Sequence, residues 1–361
     1  MVIVFFMKTC DESLPELIDV YDPENLNTFV SLYFDGRDER FIPQREKVIQ
    51  SLLKHEELKN FVKTMGTIQA YLKKQKRGSY AIFASDKNHF FKALSFPVAV
   101  KNSLSVDVSP YVHQIAELAD EWGFYTLVLL NSNHARIFSF SCGELSVEKD
   151  LSADIINKHK KGGMSQARFQ RLRKGSIHAF LTEVVEALQK ITSENIILAG
   201  PGETKKHFRD MLPVQLQKEV IAEVDVAIDD ACGLVDEAEE ILKEKGKEKH
   251  RVLLDLIQSE ILKNGLAVYG VAETLAAVKN GQVEALLVEK DAKQKGWVCE
   301  SCHLLDVGSM LQCPSCGKNT SEVDIIEEIV KLAKRTSAIV EFSQDERLQK
   351  IGPVAGLLRF K

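Results

Sequence analysis

The sequence predicts an α/β (α+β) multidomain protein of three mixed α/β domains, the third interrupted by a small cysteine-bearing module. Three observations predict it. Short apolar runs of strand length alternate with longer stretches of helical periodicity along the whole chain. A length of 361 residues, 45% of them hydrophobic, is enough for more than one core. Two Cys-x-x-Cys pairs, Cys299/Cys302 and Cys313/Cys316, break into the last α/β segment.

The apolar opening Met1–Met7 is too short for a signal peptide or a membrane helix and runs into Lys8 and Asp11, so it reads as a first strand. Phe29–Phe34 alternates like a strand, Gln44–Lys74 has helical periodicity, and Tyr80–Ser85 returns to strand composition. A helix-like run after Ser109-Pro110 reaches Trp122 and closes a first domain, residues 1–121.

The second domain, residues 122–242, opens with Phe124–Leu130, a continuous apolar run expected of a strand buried on both faces. A turn at Asn131-Ser132-Asn133 leads to the strand Ala135–Phe140 and then to a polar segment rich in Lys and Gly. A helix with apolar positions Phe169, Leu172, Ile177, Phe180, Val184 and Leu188 precedes the strand Asn195–Ala199. From about Gln215 the composition is helical, and Lys243–Arg251 reads as a solvated connection.

In the third domain, residues 243–361, the pattern gives a strand Ala267–Val271, a helix Ala272–Asn280 and a strand Ala285–Val288. The cysteine module at 297–318, a helix Val323–Arg335 and a strand Ala338–Phe342 follow. There is no internal repeat or low-complexity tract.

A net charge of −5 argues against a surface that coats nucleic acid everywhere, yet it permits local basic sites. Seven cysteines are an odd number for a disulfide framework. Cys10, Cys142 and Cys232 are scattered, and a reducing cytoplasm is the expected compartment, with no membrane involvement.

The paired cysteines have the spacing that lets Cys299, Cys302, Cys313 and Cys316 surround one tetrahedral Zn²⁺. Four protein ligands leave no open position. One structural Zn²⁺ per chain is therefore expected, holding a zinc-ribbon-like insertion too small to fold alone, with His303 as a bystander.

The run Lys158 to Lys174 is strongly basic in an acidic chain. Gly162-Gly163 opens backbone conformations closed to other residues, so the loop tip can approach a substrate, and Ser165 is the expected N-cap of the helix that follows. Exposed amides there suit an anion or a developing oxyanion. Arg168, Arg171 and Lys174 recur about one turn apart and, with Lys160, Lys161 and Arg173, suit a phosphate backbone.

Gly162-Gly163 followed by Ser165, Ala167-Arg168-Phe169 and Arg171-Leu172-Arg173 resembles the Gly-Gly-Gln loop and arginine helix of the archaeal and eukaryotic class I peptide chain release factors. Leu198-Ala199-Gly200-Pro201-Gly202, Tyr269-Gly270-Val271-Ala272-Glu273-Thr274-Leu275 and Ile351–Phe360 are similar to that family in the same order. Paired cysteines in the third domain are also found in its archaeal members.

The resemblance implies a protein of the ribosomal A site whose middle domain enters the peptidyl-transferase centre and hydrolyses the peptidyl-tRNA ester, in termination or ribosome rescue. It implies Gly162, Gly163 and Gln166 at the reacting ester and a translational GTPase or a ribosome-splitting ATPase as partner. Two departures stand out. Met164 occupies the family glutamine's position, and a thioether cannot orient water as an amide does; Gln166 lies two residues later, where some rescue-type relatives carry a displaced glutamine. The family's Asn-Ile-Lys-Ser decoding motif is absent from the first domain. A non-hydrolytic relative resembling Pelota, acting in ribosome rescue or splitting, and an RNA-binding adaptor are the alternative readings.

Overall fold

The computed structural model describes residues 10–22, 25, 27–38, 40–141, 144–155, 164–191, 195–228 and 231–361. The strand expected at Met1–Met7 lies outside them. The chain forms two compact units, Trp122–Lys245 and a unit that joins Met1–Glu121 to Gly246–Lys361. The fold class is the expected mixed α/β multidomain arrangement.

The N-terminal part of the joined unit contains α1 (Cys10–Ile18), β1 (Phe29–Phe34), α2 (Phe41–Gln50), α3 (His55–Leu72), β2 (Ser79–Ser85), β3 (Phe90–Phe96), β4 (Ser103–Asp107) and α4 (His113–Trp122). The strands form an antiparallel sheet in the order β3-β2-β1-β4. Phe61, Met65 and Ile68 of α3 pack on Val30, Leu32, Ile82 and Ala84, so β1 and β2 bury one face against α3. Their other face is buried as well, with Tyr33 and Phe83 in edge-to-face contact, which is why both strands are apolar nearly throughout. Gln44–Lys74 is two helices rather than one. They break at Ser51–Lys54, where the Glu57 carboxylate accepts the Lys54 amide at 2.8 Å and starts α3.

The other unit holds β5 (Phe124–Leu130), β6 (His134–Ser141), β7 (Glu144–Ser152), α5 (Met164–Gln189), β8 (Ile196–Ala199), α6 (Thr204–Met211), α7 (Val214–Glu219) and β9 (Val220–Val224). A long helix, α8 (Ala231–Leu262), follows, and its residues up to Lys245 belong to this unit. The sheet order is β7-β6-β5-β8-β9, with β8 parallel to β5 and β9 and the rest antiparallel. Val128 and Leu130 face the core under α5 and α6, while Tyr125, Leu127 and Leu129 face Leu234 and Ala238 of α8. β5 is thus buried on both sides, as its unbroken apolar run predicts.

Several expectations need correction here. The polar stretch after Phe140 contains β7, an edge strand whose exposed charges pair across to β6 (Arg136–Glu148 at 2.8 Å, His134–Asp150 at 2.7 Å). β9 lies within the stretch expected to be helical. Lys243–Arg251 lies within α8, and the boundary between the two units falls inside it, after Lys245. The apolar stripe of α5 begins at Ile177; Phe169 and Leu172 are 39% and 49% exposed.

The C-terminal part adds β10 (Ala267–Tyr269), α9 (Val271–Lys279), β11 (Val283–Glu289), β12 (Lys295–Cys299), β13 (Leu305–Val307), β14 (Thr320–Asp324), α10 (Ile325–Arg335), β15 (Ile339–Ser343), α11 (Glu346–Ile351) and β16 (Val354–Leu358). A sheet in the order β10-β16-β11-β15 packs on Leu254 and Ile257 of α8, and β13-β12-β14 form a separate small sheet. Val323 is in β14, not in a helix. Asp324 ends that strand and caps α10 by accepting the Ile326 amide at 3.2 Å.

Charged groups of α10 join the two parts of this unit. Glu327, 1% exposed, accepts the amides of Val112 and His113 at 2.7 and 2.9 Å, and Lys331 donates to Ser109 Oγ at 2.7 Å. Arg335 donates to the Ile18 carbonyl at 2.6 Å, and the Phe342 amide donates to Asp120 at 2.7 Å.

Candidate functional site

The cysteine module is built by β12 delivering Cys299 into a tight turn, with the second pair on a turn before β14. The His303 amide donates to the Cys299 carbonyl at 3.1 Å and the Gly317 amide to the Cys313 carbonyl at 2.8 Å, so the two turns are alike. Gly317 takes φ +70°, a conformation that glycine adopts without penalty.

The four sulfurs lie within 4.8 Å of one another; Cys299 and Cys316 are 3.3 Å apart, and Cys302 and Cys313 3.5 Å. A tetrahedron with Zn–S bonds of ~2.3 Å has edges of about 3.8 Å, so the set matches the size that one metal ion needs. The amides of Cys302 and Ser301 donate to Cys299 Sγ at 3.4 Å each and lower the pKa of that thiol, while the neighbouring thiols raise that of Cys302, as expected of sulfurs crowded together. Trp297 packs on Cys299 and Cys313 as the module's own small core. His303 is outside the cluster. Its Nδ1 meets the Tyr21 hydroxyl at 2.8 Å and ties the module to the N-terminal part of its unit.

The second candidate centre is the start of α5. The helix begins at Met164, so Ser165 is in its first turn rather than at the N-cap. Gly162, Gly163, Lys160 and Lys161 lie outside the described residues, and for Met164 and Gln166 only the helical backbone is described. Arg168, Arg171 and Lys174 are exposed and Arg173 is half-buried, its Nε shielded from solvent without a hydrogen-bond partner. No acidic residue occurs in α5 before Glu183, so its first turns present cations and the exposed Phe169 and Leu172 together.

Lys205 has a role that sequence reasoning missed. Its ammonium is buried at the end of β8, donating to the carbonyls of Gly200 at 3.0 Å and Gly202 at 3.1 Å and pairing with Asp225, whose carboxyl it holds below the usual range. Gly200 has φ +140°, and a Cβ there would sit 1.9 Å from the Leu130 carbonyl oxygen. The Gly-Pro-Gly loop is therefore a stapled element pressed against β5, where surface lysines and loop glycines are the usual reading of such a segment.

Comparison with known families decides what these features belong to. Residues 110–245 match the bacterial archaeo-eukaryotic release factor family 10, and residues 247–361 match eRF1 domain 3. The chain belongs to the class I peptide chain release factor family. That family includes bacterial members and the Pelota branch.

Among curated relatives of this family member, peptide chain release factor subunit 1 of Archaeoglobus fulgidus is 29% identical over 280 residues, 70% of this chain and 69% of that protein. The counterpart from Thermococcus onnurineus is 29% identical over 274 residues, 66% of each chain. That from Methanopyrus kandleri is 33% identical over 217 residues, 57% of this chain and 50% of that protein. The matches thus span about two thirds of the length of the first two relatives. Among solved structures, archaeal aRF1 is 16% identical with a TM-score of 0.28 over 97% of both chains, and Saccharomyces cerevisiae Dom34 is 12% identical with a TM-score of 0.44 over 78% of this chain and 79% of that one. Among the described residues, no helix is long and apolar enough to cross a membrane.

Proposed function

We propose that this chain acts in the ribosomal A site and hydrolyses peptidyl-tRNA, in rescue of stalled ribosomes rather than at a specified codon. The observation that carries the reading is the start of α5 in a member of this family: a cationic, acid-free and partly apolar helix end directly after Gly162-Gly163. Arg168, Arg171, Arg173 and Lys174, with Lys160 and Lys161, would neutralise RNA phosphates while the glycine pair lets backbone reach the ester.

In the proposed reaction a water attacks the ester carbonyl, the tRNA 3′-oxygen leaves with a proton, and the peptide departs as its acid. Gln166 positions the water and a backbone amide beside the glycine pair stabilises the oxyanion; both roles are positioning and electrostatics, not covalent catalysis. Residues 1–121 would occupy the small-subunit side, although the Asn-Ile-Lys-Ser decoding motif is absent from them, and 243–361 would receive a translational GTPase or a splitting ATPase. The four cysteines would hold one structural Zn²⁺, with no water activated there.

The test is release of labelled peptide from ribosome-bound peptidyl-tRNA at stop, sense and empty A sites, with the parent and with Gln166→Ala and Met164→Ala. Release at an empty site that is lost in Gln166→Ala and retained in Met164→Ala is expected. Release confined to stop codons would make the chain a termination factor. Met164 at the glutamine position favours a second reading, a non-hydrolytic Pelota-like splitting factor, and an absence of release at every site would shift the assignment toward it.

A further inference from the structure

The N-terminal part of the joined unit carries a charge concentration that the loop and α5 do not account for. From Leu58 to Lys101 there are nine basic residues and one acidic residue, Asp86, in a chain whose net charge is −5. Asp86 is paired with Lys63 at 3.4 Å. At the C-terminal end of α3, Lys73, Lys74 and Lys76 are exposed, and among the described residues none has a carboxylate within 4.0 Å.

Aromatic side chains lie beside these cations. Tyr71, one turn before Lys74, meets Phe91 of the edge strand β3 edge-to-face, with ring centroids 5.3 Å apart. Phe91 is 40% exposed, a large apolar face that the core does not use. The turn that presents Lys76 is fixed: the Tyr80 hydroxyl donates to the Lys76 carbonyl at 2.8 Å, and Gly36 packs so closely that a Cβ on it would fall 2.6 Å from the Gly78 carbonyl oxygen.

We propose that the end of α3 and the start of β3 form a single-stranded RNA surface, an unpaired base stacking at Tyr71 and Phe91 while Lys73, Lys74 and Lys76 take the flanking phosphates. A π-face beside several unpaired cations on a rigid turn is the arrangement that binds single strands with little sequence preference. It lies at the opposite end of α3 from the Ser51–Lys54 break, and it rests on the ribosomal reading only for the source of the RNA.

The experiment is fluorescence anisotropy of the full chain with a labelled, unstructured RNA of about a dozen nucleotides, titrated at several salt concentrations. The triple variant Lys73→Ala, Lys74→Ala, Lys76→Ala is expected to lower the slope of log K against log salt by about 2, at ~0.7 per phosphate contact on a single strand. Phe91→Ala is expected to weaken binding roughly 5- to 150-fold with the slope unchanged. Circular dichroism checks its fold, and the exposed lysine variant stands independently of that. Parent-like affinity and slope in the lysine variant overturn the proposal, as does a parent that binds anionic phosphatidylserine vesicles and not RNA. Peptide release by the same variants with added ribosomes reports on the hydrolytic reading separately, because it depends on Gln166.

Discussion

Lys331→Met removes the centre of the charged contact that joins the two parts of the larger unit. Lys331 is 3% exposed, and its ammonium meets Ser109 Oγ at 2.7 Å, Glu328 at 3.0 Å and Glu327 at 3.2 Å. Burial alone would pull its pKa down, but Glu328, Glu327 and Asp107 hold it above the ordinary lysine value, so it stays charged. Burial pushes Glu327 up to about 7 and Asp107 up to about 6, in each case against the pull of Lys331. Without the cation two buried carboxyls lose their counter-charge, a loss of about 3–5 kcal/mol at pH 8. In a unit of this size that lowers the melting temperature by roughly 6–20 °C.

The pH dependence has a definite sign. A carboxyl whose folded pKa is raised stabilises the fold most below its unfolded value, near 4.5 for Glu327, and loses that contribution as pH rises through about 7. At pH 5 the stranded Glu327 takes up a proton, so the loss in Lys331→Met shrinks to about 1–3 kcal/mol, the cost of neutral polar groups left unpaired. His113, which burial and then Lys293 pull down to about 4, weakens parent and variant alike in acid and cancels in the difference. Scanning calorimetry of both proteins at pH 5 and pH 8 is the assay. A melting temperature within about 2 °C of the parent at pH 8, or a larger loss at pH 5 than at pH 8, would refute the reasoning.

Other outcomes follow from the same structure. Gly200→Ala forces a Cβ against the Leu130 carbonyl oxygen at φ +140° and is expected to cost about 1–3 kcal/mol or more, read as a lowered melting temperature by scanning calorimetry. Metal analysis should find about one zinc per chain, lost with chelator or in Cys299→Ser, with the Trp297 emission changing because that ring packs on Cys299 and Cys313. A full complement of zinc in Cys299→Ser would remove that cysteine from the ligand set. Arg168→Ala with Arg171→Ala should weaken ribosome binding and reduce its salt slope by about 1.5, while leaving the melting temperature within about 1 °C because both side chains are exposed.

The local readings that survived rest on strong, short-range patterns. Phe124–Leu130 reads as a strand buried on both sides because its nearly unbroken apolar run leaves no alternating polar face for water. The paired cysteines announced their own cluster, since two sulfurs on each turn meet whenever the turns face each other. What failed was context. β7 is polar because it is an edge strand, and its charges satisfy one another across β6; composition alone cannot tell this from a loop. Phe169 and Leu172 fit the helical stripe by spacing, but the core packed against α5 begins only at Ile177.

By itself the sequence determined the α/β class, the cysteine set and the basic run beside Gly162-Gly163, since each depends on residue type and spacing within a few turns of chain. Only the tertiary structure decided that the N- and C-terminal thirds join in one unit through buried charges of α10, that Lys205 staples the Gly-Pro-Gly loop, and that Phe91 lies exposed beside Tyr71 and the lysines at the end of α3. Those facts depend on which groups meet across tens or hundreds of residues, and on the burial that follows. A lysine carries no mark in the sequence of whether water or a pair of carbonyls will surround it.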